Sequence, residues 1–118
     1  MLDLNKELKK YIENVIEATK IIMASYEEQK SMFSENFPIA DEIALNFSDE
    51  VVYQVEYFKK NNLITDIQYQ KIKALDEKLN FMSSDKSKDY WSIEALKTFN
   101  EWAECRELAK KILKEFIK

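Results

Sequence analysis

The chain has 118 residues and a formal net charge of −4, with 46% hydrophobic and 34% charged residues. This length and composition fit one globular domain, residues 1–118, that needs no disulfide or metal to fold. The sequence has no Gly, no His and a single cysteine, Cys105. These facts argue against phosphate-cradling loops, histidine-based catalysis and an internal disulfide, so we expect neither an enzyme nor a cofactor.

The first predicted helix runs from Asp3 to about Gln29. Apolar residues recur along it at three- and four-residue steps, which is the period of one helix face. The pattern breaks over residues 31–37. Pro38 then suits the start of a second helix, where its missing N–H is not needed. The members of the first stripe are Leu4, Leu8, Tyr11, Ile12, Val15, Thr19, Ile22, Met23 and Tyr26.

The segment from Pro38 to Lys60 allows two interpretations. Its apolar stripe is continuous if the helix is unbroken. Ser48, followed by two acidic residues, would instead cap a new helix. We predict one helix with a kink or a brief break near Phe47. The stripe consists of Ala40, Ala44, Phe47, Val51, Val55 and Phe58.

A third helix is predicted to end at about Met82. The pair Asn61-Asn62 suits a left-handed cap of the preceding helix, where Gly would normally stand. Thr65 and Gln68 then have the spacing of a capping box, which marks a helix start.

A polar connection over residues 83–89 leads to the last helix, for which Ser92 is the predicted N-cap. A break near residues 98–100, with Asn100 as a second N-cap, is an alternative. The expected fold is an all-α, up-and-down bundle of four to five amphipathic helices. The predicted buried stripe of the last helix is Trp102, Cys105, Ala109, Ile112 and Phe116.

Negative charge is concentrated between Ser31 and Phe58, which contain six carboxylates and no Lys or Arg. Such a local field favours a surface for a basic partner. On a helical wheel, acidic and tyrosine residues lie opposite the apolar stripe of the second region. We predict that this face binds a partner; the alternative is a solvated face whose tyrosines lean on neighbouring helices. The predicted contact residues are Asp49, Tyr53, Glu56 and Tyr57 at the centre, with Glu42, Asn46 and Glu50 around them.

Other candidate sites have simpler explanations. Glu101, Glu104 and Glu107 have the spacing of metal-binding carboxylates, but the sequence has no evident second pair with that spacing, so no metal site is expected. Cys105 falls on the buried stripe and is predicted to be a core residue. An isoelectric point near 5.0 argues against nucleic-acid binding. No apolar run has the length of a signal or a membrane span, so we expect a cytoplasmic protein without membrane contact.

Three segments of the second half resemble small all-helical immunity proteins of bacterial contact-dependent and other polymorphic toxin systems. The resemblance lies in helix starts and core residues: Asn62-Leu63-Ile64-Thr65, Trp91-Ser92-Ile93-Glu94-Ala95-Leu96, and the run from Glu101 to Lys110. It implies a cytoplasmic inhibitor that binds a cognate toxin domain with a basic surface. The toxins that this family opposes are often nucleases, whose active sites are basic because the substrate is polyanionic.

Two other functions remain open from the sequence. One is a structural or regulatory helical protein, such as a phage accessory factor or a self-associating bundle, since a homo-oligomer is possible although not required. The other is a metal-dependent hydrolase that uses Glu101 and Glu104.

Overall fold

Helices are the only regular elements among residues 3–117, the part of the chain that the computed structural model describes. The π-helical segment and its two α-helical neighbours form one rod from Ile39 to Lys60, so this part of the chain forms six helices. The all-α prediction is confirmed. The elements are α1 (Leu4–Met23), α2 (Tyr26–Met32), α3 (Ile39–Phe47), a π-helical segment (Ser48–Val52), α4 (Tyr53–Lys60), α5 (Asp66–Ser84), α6 (Ile93–Thr98) and α7 (Asn100–Phe116).

The long helices pack against one another around one hydrophobic core. Helix α7 lies between α1 and α5, and the rod made of α3, the π-helical segment and α4 contacts both α1 and α5. No helix within residues 3–117 combines the length and the apolar character that a membrane crossing requires. The largest fully buried side chains include Trp102, Tyr11, Tyr90, Phe47 and Phe58.

The prediction of one helix from Asp3 to Gln29 was wrong, because α1 ends at Met23 and a second helix, α2, begins at Tyr26. Ser25 is the N-cap of α2: its hydroxyl accepts from the Glu28 N–H at 3.2 Å. The Glu28 carboxylate in turn accepts from the Ser25 N–H at 3.1 Å. This reciprocal pair is a capping box, which satisfies two N–H groups that a helix start leaves free.

Gln29 of α2 stabilises the end of α1 at the same break. Its side-chain amide donates to the carbonyl oxygens of Ile21, at 2.9 Å, and Ile22, at 3.3 Å. Both carbonyls lie in the last turn of α1, where no further helical N–H is available to them. The fully buried Gln29 side chain therefore caps α1 while belonging to α2.

The rod from Ile39 to Lys60 confirms the prediction of one helix with an irregularity near Phe47. Backbone angles stay helical through Phe47 (φ −62°) and Ser48 (φ −60°), so Ser48 does not cap a new helix. The irregularity is the π-helical segment, in which the Tyr53 N–H donates to the Ser48 carbonyl. Pro38 precedes the first helical residue by one position and serves as the N-cap.

The π-helical segment keeps the buried face of the rod in line. Ile43, Phe47, Val51 and Val55 are all buried and follow one another at steps of four. In a regular α-helix each step of four residues rotates a stripe by about 40°. A wider turn rotates less per residue and offsets this drift, so all four side chains stay on the core side.

Tyr11 of α1 joins the core to this segment. Its buried hydroxyl donates to the Val51 carbonyl at 2.8 Å, and its ring stacks on Phe58 with centroids 4.2 Å apart. Burial raises the pKa of the Tyr11 hydroxyl well above its usual value, which keeps it protonated as a donor.

The start of α5 follows the sequence prediction. Asn62 adopts the left-handed conformation, with φ 57°, after the last turn of α4. Thr65 and Gln68 form the predicted capping box, with hydrogen bonds of 3.0 and 2.8 Å. The Gln68 amide also donates to the Glu115 carbonyl at 2.9 Å, which ties this start to the end of α7.

The connection after α5, which the sequence predicted as a plain polar linker, is tightly structured. The Asp85 carboxylate accepts from the Ser87 hydroxyl at 2.6 Å and from the Tyr90 hydroxyl at 2.5 Å. These bonds lower the pKa of Asp85 to about 2. Tyr90 is buried, and its carbonyl accepts from the Trp102 indole at 2.7 Å.

The prediction of a single last helix was wrong, and the alternative of a break near residues 98–100 is confirmed by the division into α6 and α7. Ser92 caps α6 by accepting from the Ala95 N–H at 3.0 Å. Phe99 is extended, with ψ 135°, and separates α6 from α7. Phe99 is the N-cap of α7, so Asn100 is the first helical residue rather than the cap, and its amide donates to the Glu104 carboxylate.

We expect Tyr11→Phe to lower the free energy of unfolding by about 0.5–1.5 kcal/mol, because the buried hydrogen bond to the Val51 carbonyl would be lost. Urea denaturation followed by circular dichroism measures the change. Tyr53→Phe is the matched control, since the Tyr53 side chain is mostly exposed, and should stay within about 0.5 kcal/mol of the parent. Equal effects of the two substitutions would contradict the role of the Tyr11 hydroxyl.

Asp85 should make stability depend on pH in the acid range. Its pKa is lower in the folded protein than in the unfolded chain, so its contribution is present above about pH 4 and is lost as the pH falls towards 2. The stability advantage of the parent over Asp85→Asn should therefore be constant near neutrality and shrink between pH 4 and 2. Urea denaturation at a series of pH values measures it.

The matched test for this contribution is Ser87→Ala, which removes the first donor to Asp85 and should raise the pKa of its carboxyl in an NMR titration. A gap between parent and Asp85→Asn that stays constant down to pH 2 would contradict this assignment.

Candidate functional site

The outward face of the rod carries the two predicted tyrosines. Tyr53 is 85% exposed and Tyr57 is 41% exposed, while Val51 and Val55 on the opposite side are fully buried. Tyr57 leans on its neighbours: its ring meets Phe58 edge-on, and its hydroxyl lies 3.4 Å from the Glu7 carboxylate. Tyr53 lies fully on the solvent side of the helix. The tyrosine that projects furthest is thus the one at the start of α4.

Asp49 and Tyr53, both exposed, lie at the centre of this face. On the α1 side, the Glu50 carboxylate accepts from the Asn14 amide at 3.1 Å. On the α5 side, the Glu56 carboxylate accepts from the hydroxyl of Tyr69 at 2.6 Å. We call Asp49, Glu50, Tyr53, Glu56 and Tyr57 the acidic crest. Its members span about 12 Å of helix, at 1.5 Å per residue.

Glu42 and Asn46, the other two predicted contact residues, lie nearer the beginning of the rod. They line a small cavity of about 150 Å³ together with Ile21, Phe33 and Ile43. Glu42 is exposed, whereas Asn46 is half-buried. About 22 Å of helix separate Glu42 from Tyr57. Glu42 and Asn46 therefore lie at the edge of any surface centred on Tyr53.

The carboxylates of this region are largely unpaired with cations. Of the six between residues 31 and 58, Glu56 is the one that forms an ion pair within the described chain, and its partner Lys73 is 3.9 Å away. Lys59, the nearest cation along the rod, is engaged with Asp66 at 2.8 Å. Cations of the described chain therefore neutralise little of the negative charge predicted here from the sequence. This charge can attract a cationic partner.

Hydrogen bonds to these carboxylates affect the neighbouring tyrosines. The bond to Glu56 raises the pKa of Tyr69, because a carboxylate acceptor favours the protonated phenol. Partial burial and the nearby Glu7 raise the pKa of Tyr57 in the same direction. In both pairs the phenol donates and the carboxylate accepts, which leaves further acceptor capacity on the carboxylate for a cation or a hydrogen-bond donor.

The acidic residues of α7 have lysine partners instead. Glu101 lies 3.3 Å from Lys88, and Glu104 contacts Lys78. The described residues contain no group of three His, Cys, Asp or Glu side chains placed to hold a metal ion. Cys105 is fully buried beside Met82, which confirms the prediction of a core residue. Burial raises the pKa of its thiol to about 12.

The structure adds a groove that sequence reasoning missed, of about 320 Å³, between the rod and α5. The sequence hints at this groove through Leu45, an apolar residue that lies off the predicted apolar stripe. The residues that complete the groove come from α5 and the connection that follows, so only the packing of helices brings them together. The lining residues are Asp41, Ala44, Leu45, Phe47, Ser48, Asp76, Leu79, Asn80, Ser83 and Trp91. We call this the rod–α5 groove.

No protein-family model, no curated protein and no solved structure matches this chain.

We expect Glu56→Gln to lower the pKa of Tyr69 towards its ordinary value near 10, because the carboxylate that stabilises the protonated phenol is removed. An NMR titration of the tyrosine ring carbons measures the shift. Glu50→Gln is the matched control, since Glu50 contacts Asn14 on the other side of the crest, and should leave Tyr69 unchanged. An unaltered Tyr69 titration in Glu56→Gln would contradict the hydrogen bond.

Proposed function

We propose that this protein is an immunity protein that binds a cognate bacterial toxin domain and neutralises it through the acidic crest. The observation that supports this proposal most directly is the Tyr53 side chain, 85% exposed among carboxylates that have few cationic partners. We infer a toxin with a basic surface, such as a nuclease. The proposed site of action is the cytoplasm.

The chemistry of the crest favours a protein partner. Tyrosine offers a large contact area with few rotatable bonds, and it is enriched among the residues that contribute most to binding. Carboxylates around it steer a basic partner and increase its rate of association. A nuclease active site binds phosphates, and carboxylates can occupy the same cationic positions in their place.

The distribution of charge within the fold supports the same proposal. Glu101 and Glu104 of α7 pair with lysines. On the rod, Asp49 and Glu50 form no ion pair among the described residues, and the Glu56 carboxylate lies 3.9 Å from Lys73. A carboxylate without a cationic partner in its own chain stays free to meet a cation of another protein, which supports binding at this face. The resemblance of the second half to immunity proteins agrees with this proposal, although that half does not include the crest.

A self-associating helical protein is the competing proposal, and the exposed Tyr53 ring gives it some support. In a homodimer built on this face, however, the crest would meet its own copy and bring like charges together, which is unfavourable. We therefore expect a monomer in sedimentation experiments at physiological salt.

We expect the double variant Asp49→Lys, Tyr53→Ala to weaken toxin binding at least 100-fold, because it removes the central ring and reverses the charge beside it. Neither side chain has a described intramolecular partner, so the fold should be retained. The measurement is isothermal titration calorimetry against the toxin domain encoded by the neighbouring reading frame, with circular dichroism to confirm folding.

Ile93→Ala, Glu94→Lys is the matched control: it makes the same kinds of change at two exposed positions of α6. It should bind like the parent. Equal affinity of the crest variant and the parent would remove the crest as the site, and a stable homo-oligomer that the crest variant dissociates would favour the competing proposal.

A further inference from the structure

The rod–α5 groove has an apolar floor and polar walls. Leu45 is 55% exposed at its edge, while Phe47 and Leu79 close its base and are buried. Trp91 forms one wall. Its ring is held edge-on to Trp102, with centroids 5.7 Å apart, and its backbone N–H donates to Asp89 at 2.9 Å. The floor and this wall are therefore preorganised by the core.

The walls of the groove are acidic and contain no basic residue. Asp41 and Asp76 supply the two carboxylates, and Ser48, Asn80 and Ser83 add further oxygen atoms. Asp76 has a cation beside it, since Lys73 lies 3.6 Å away, but Lys73 is also 3.9 Å from Glu56 and lies outside the lining. Asp41 has no ion-pair partner among the residues that the structure describes. The groove therefore has a net attraction for positive charge.

We propose that this groove receives an arginine side chain of a partner protein. The aliphatic part of arginine fits the apolar floor near Leu45, because such stems cover apolar surface while the charged end stays at a polar rim. The guanidinium has five N–H donors and no acceptor, which suits walls that offer mainly oxygen acceptors. It can also stack on the indole of Trp91, where a planar cation is attracted by the ring.

Arginine fits this site better than lysine for the same reason. An ammonium group is compact and strongly hydrated, so it loses more on entering a groove with an apolar floor. The planar guanidinium combines stacking on an aromatic ring with donation to a carboxylate, and Trp91 and Asp41 both line this groove.

The groove extends the proposed function by giving the toxin a second contact. Ser48 of the groove is followed directly by Asp49 of the crest, so one basic partner could reach both surfaces. Only the identity of that partner depends on the proposed function. The capture of an arginine side chain can be tested without the toxin, so a failure here is distinguishable from a failure of the immunity function.

The experiment is an NMR titration of the protein with N-acetylarginine amide at low ionic strength, where a surface charge interaction is least screened. We expect saturable shifts of the Leu45 and Ser48 amides and of the Trp91 indole, in the millimolar range. N-acetylcitrulline amide has the same shape without the charge and should not give saturable shifts at these positions. The corresponding lysine compound should bind more weakly than the arginine compound.

Asp41→Asn should weaken arginine binding about two- to fivefold, the effect of losing one solvent-exposed ion pair. Glu77→Gln removes one charge next to Asp76 but outside the groove, and should bind like the parent. Shifts that citrulline reproduces, that Asp41→Asn leaves unchanged, or that lie elsewhere on the molecule would overturn the site. Equal binding of the lysine compound would overturn its assignment to arginine.

Discussion

The contact on which the arrangement of this molecule depends is the one between Tyr11 and the π-helical segment of the rod. The Tyr11 hydroxyl satisfies the Val51 carbonyl, and its ring stacks on Phe58 one to two turns further along. Together these contacts set the rotation of the rod about its axis. Because Val51 and Val55 then point into the core, Tyr53 between them must point to water. A single buried tyrosine on α1 thus orients the surface that we propose for recognition.

Charge is used differently in two parts of the fold. On α7, acidic side chains pair with lysines of the preceding elements, as in the contacts of Glu101 with Lys88 and of Glu104 with Lys78 of α5. Along the rod, Asp41 and Asp49 form no ion pair within the described structure, and the cation nearest to Glu56 is Lys73, at 3.9 Å. Since exposed ion pairs contribute little to stability, this asymmetry has a small effect on folding but a large effect on the field around the rod. The crest and the groove both lie within that field.

Local signals were predictable where a side chain bonds to its own backbone neighbourhood. The Thr65 and Gln68 capping box and the Ser92 cap were identified from spacing alone, and both are present. The equivalent box at Ser25 was missed because the apolar stripe of α1 continues through Tyr26 and conceals the break. The capping of α1 by Gln29 and the hydrogen bond from Trp102 to the Tyr90 carbonyl were also missed, since each joins two different elements.

The amino-acid sequence by itself determined the all-α class, the rod that includes residues 39–60 and the surplus of carboxylates on it, because composition and helical period are local properties. It also indicated that Tyr53 lies opposite the apolar stripe. Only the tertiary structure decided that the rod contains a π-helical segment, that Glu42 and Asn46 lie at the edge of the crest, and that Asp41 and Trp91 line one groove. These features depend on which helix packs against which, and the free energy of that packing comes from residues far apart in the chain.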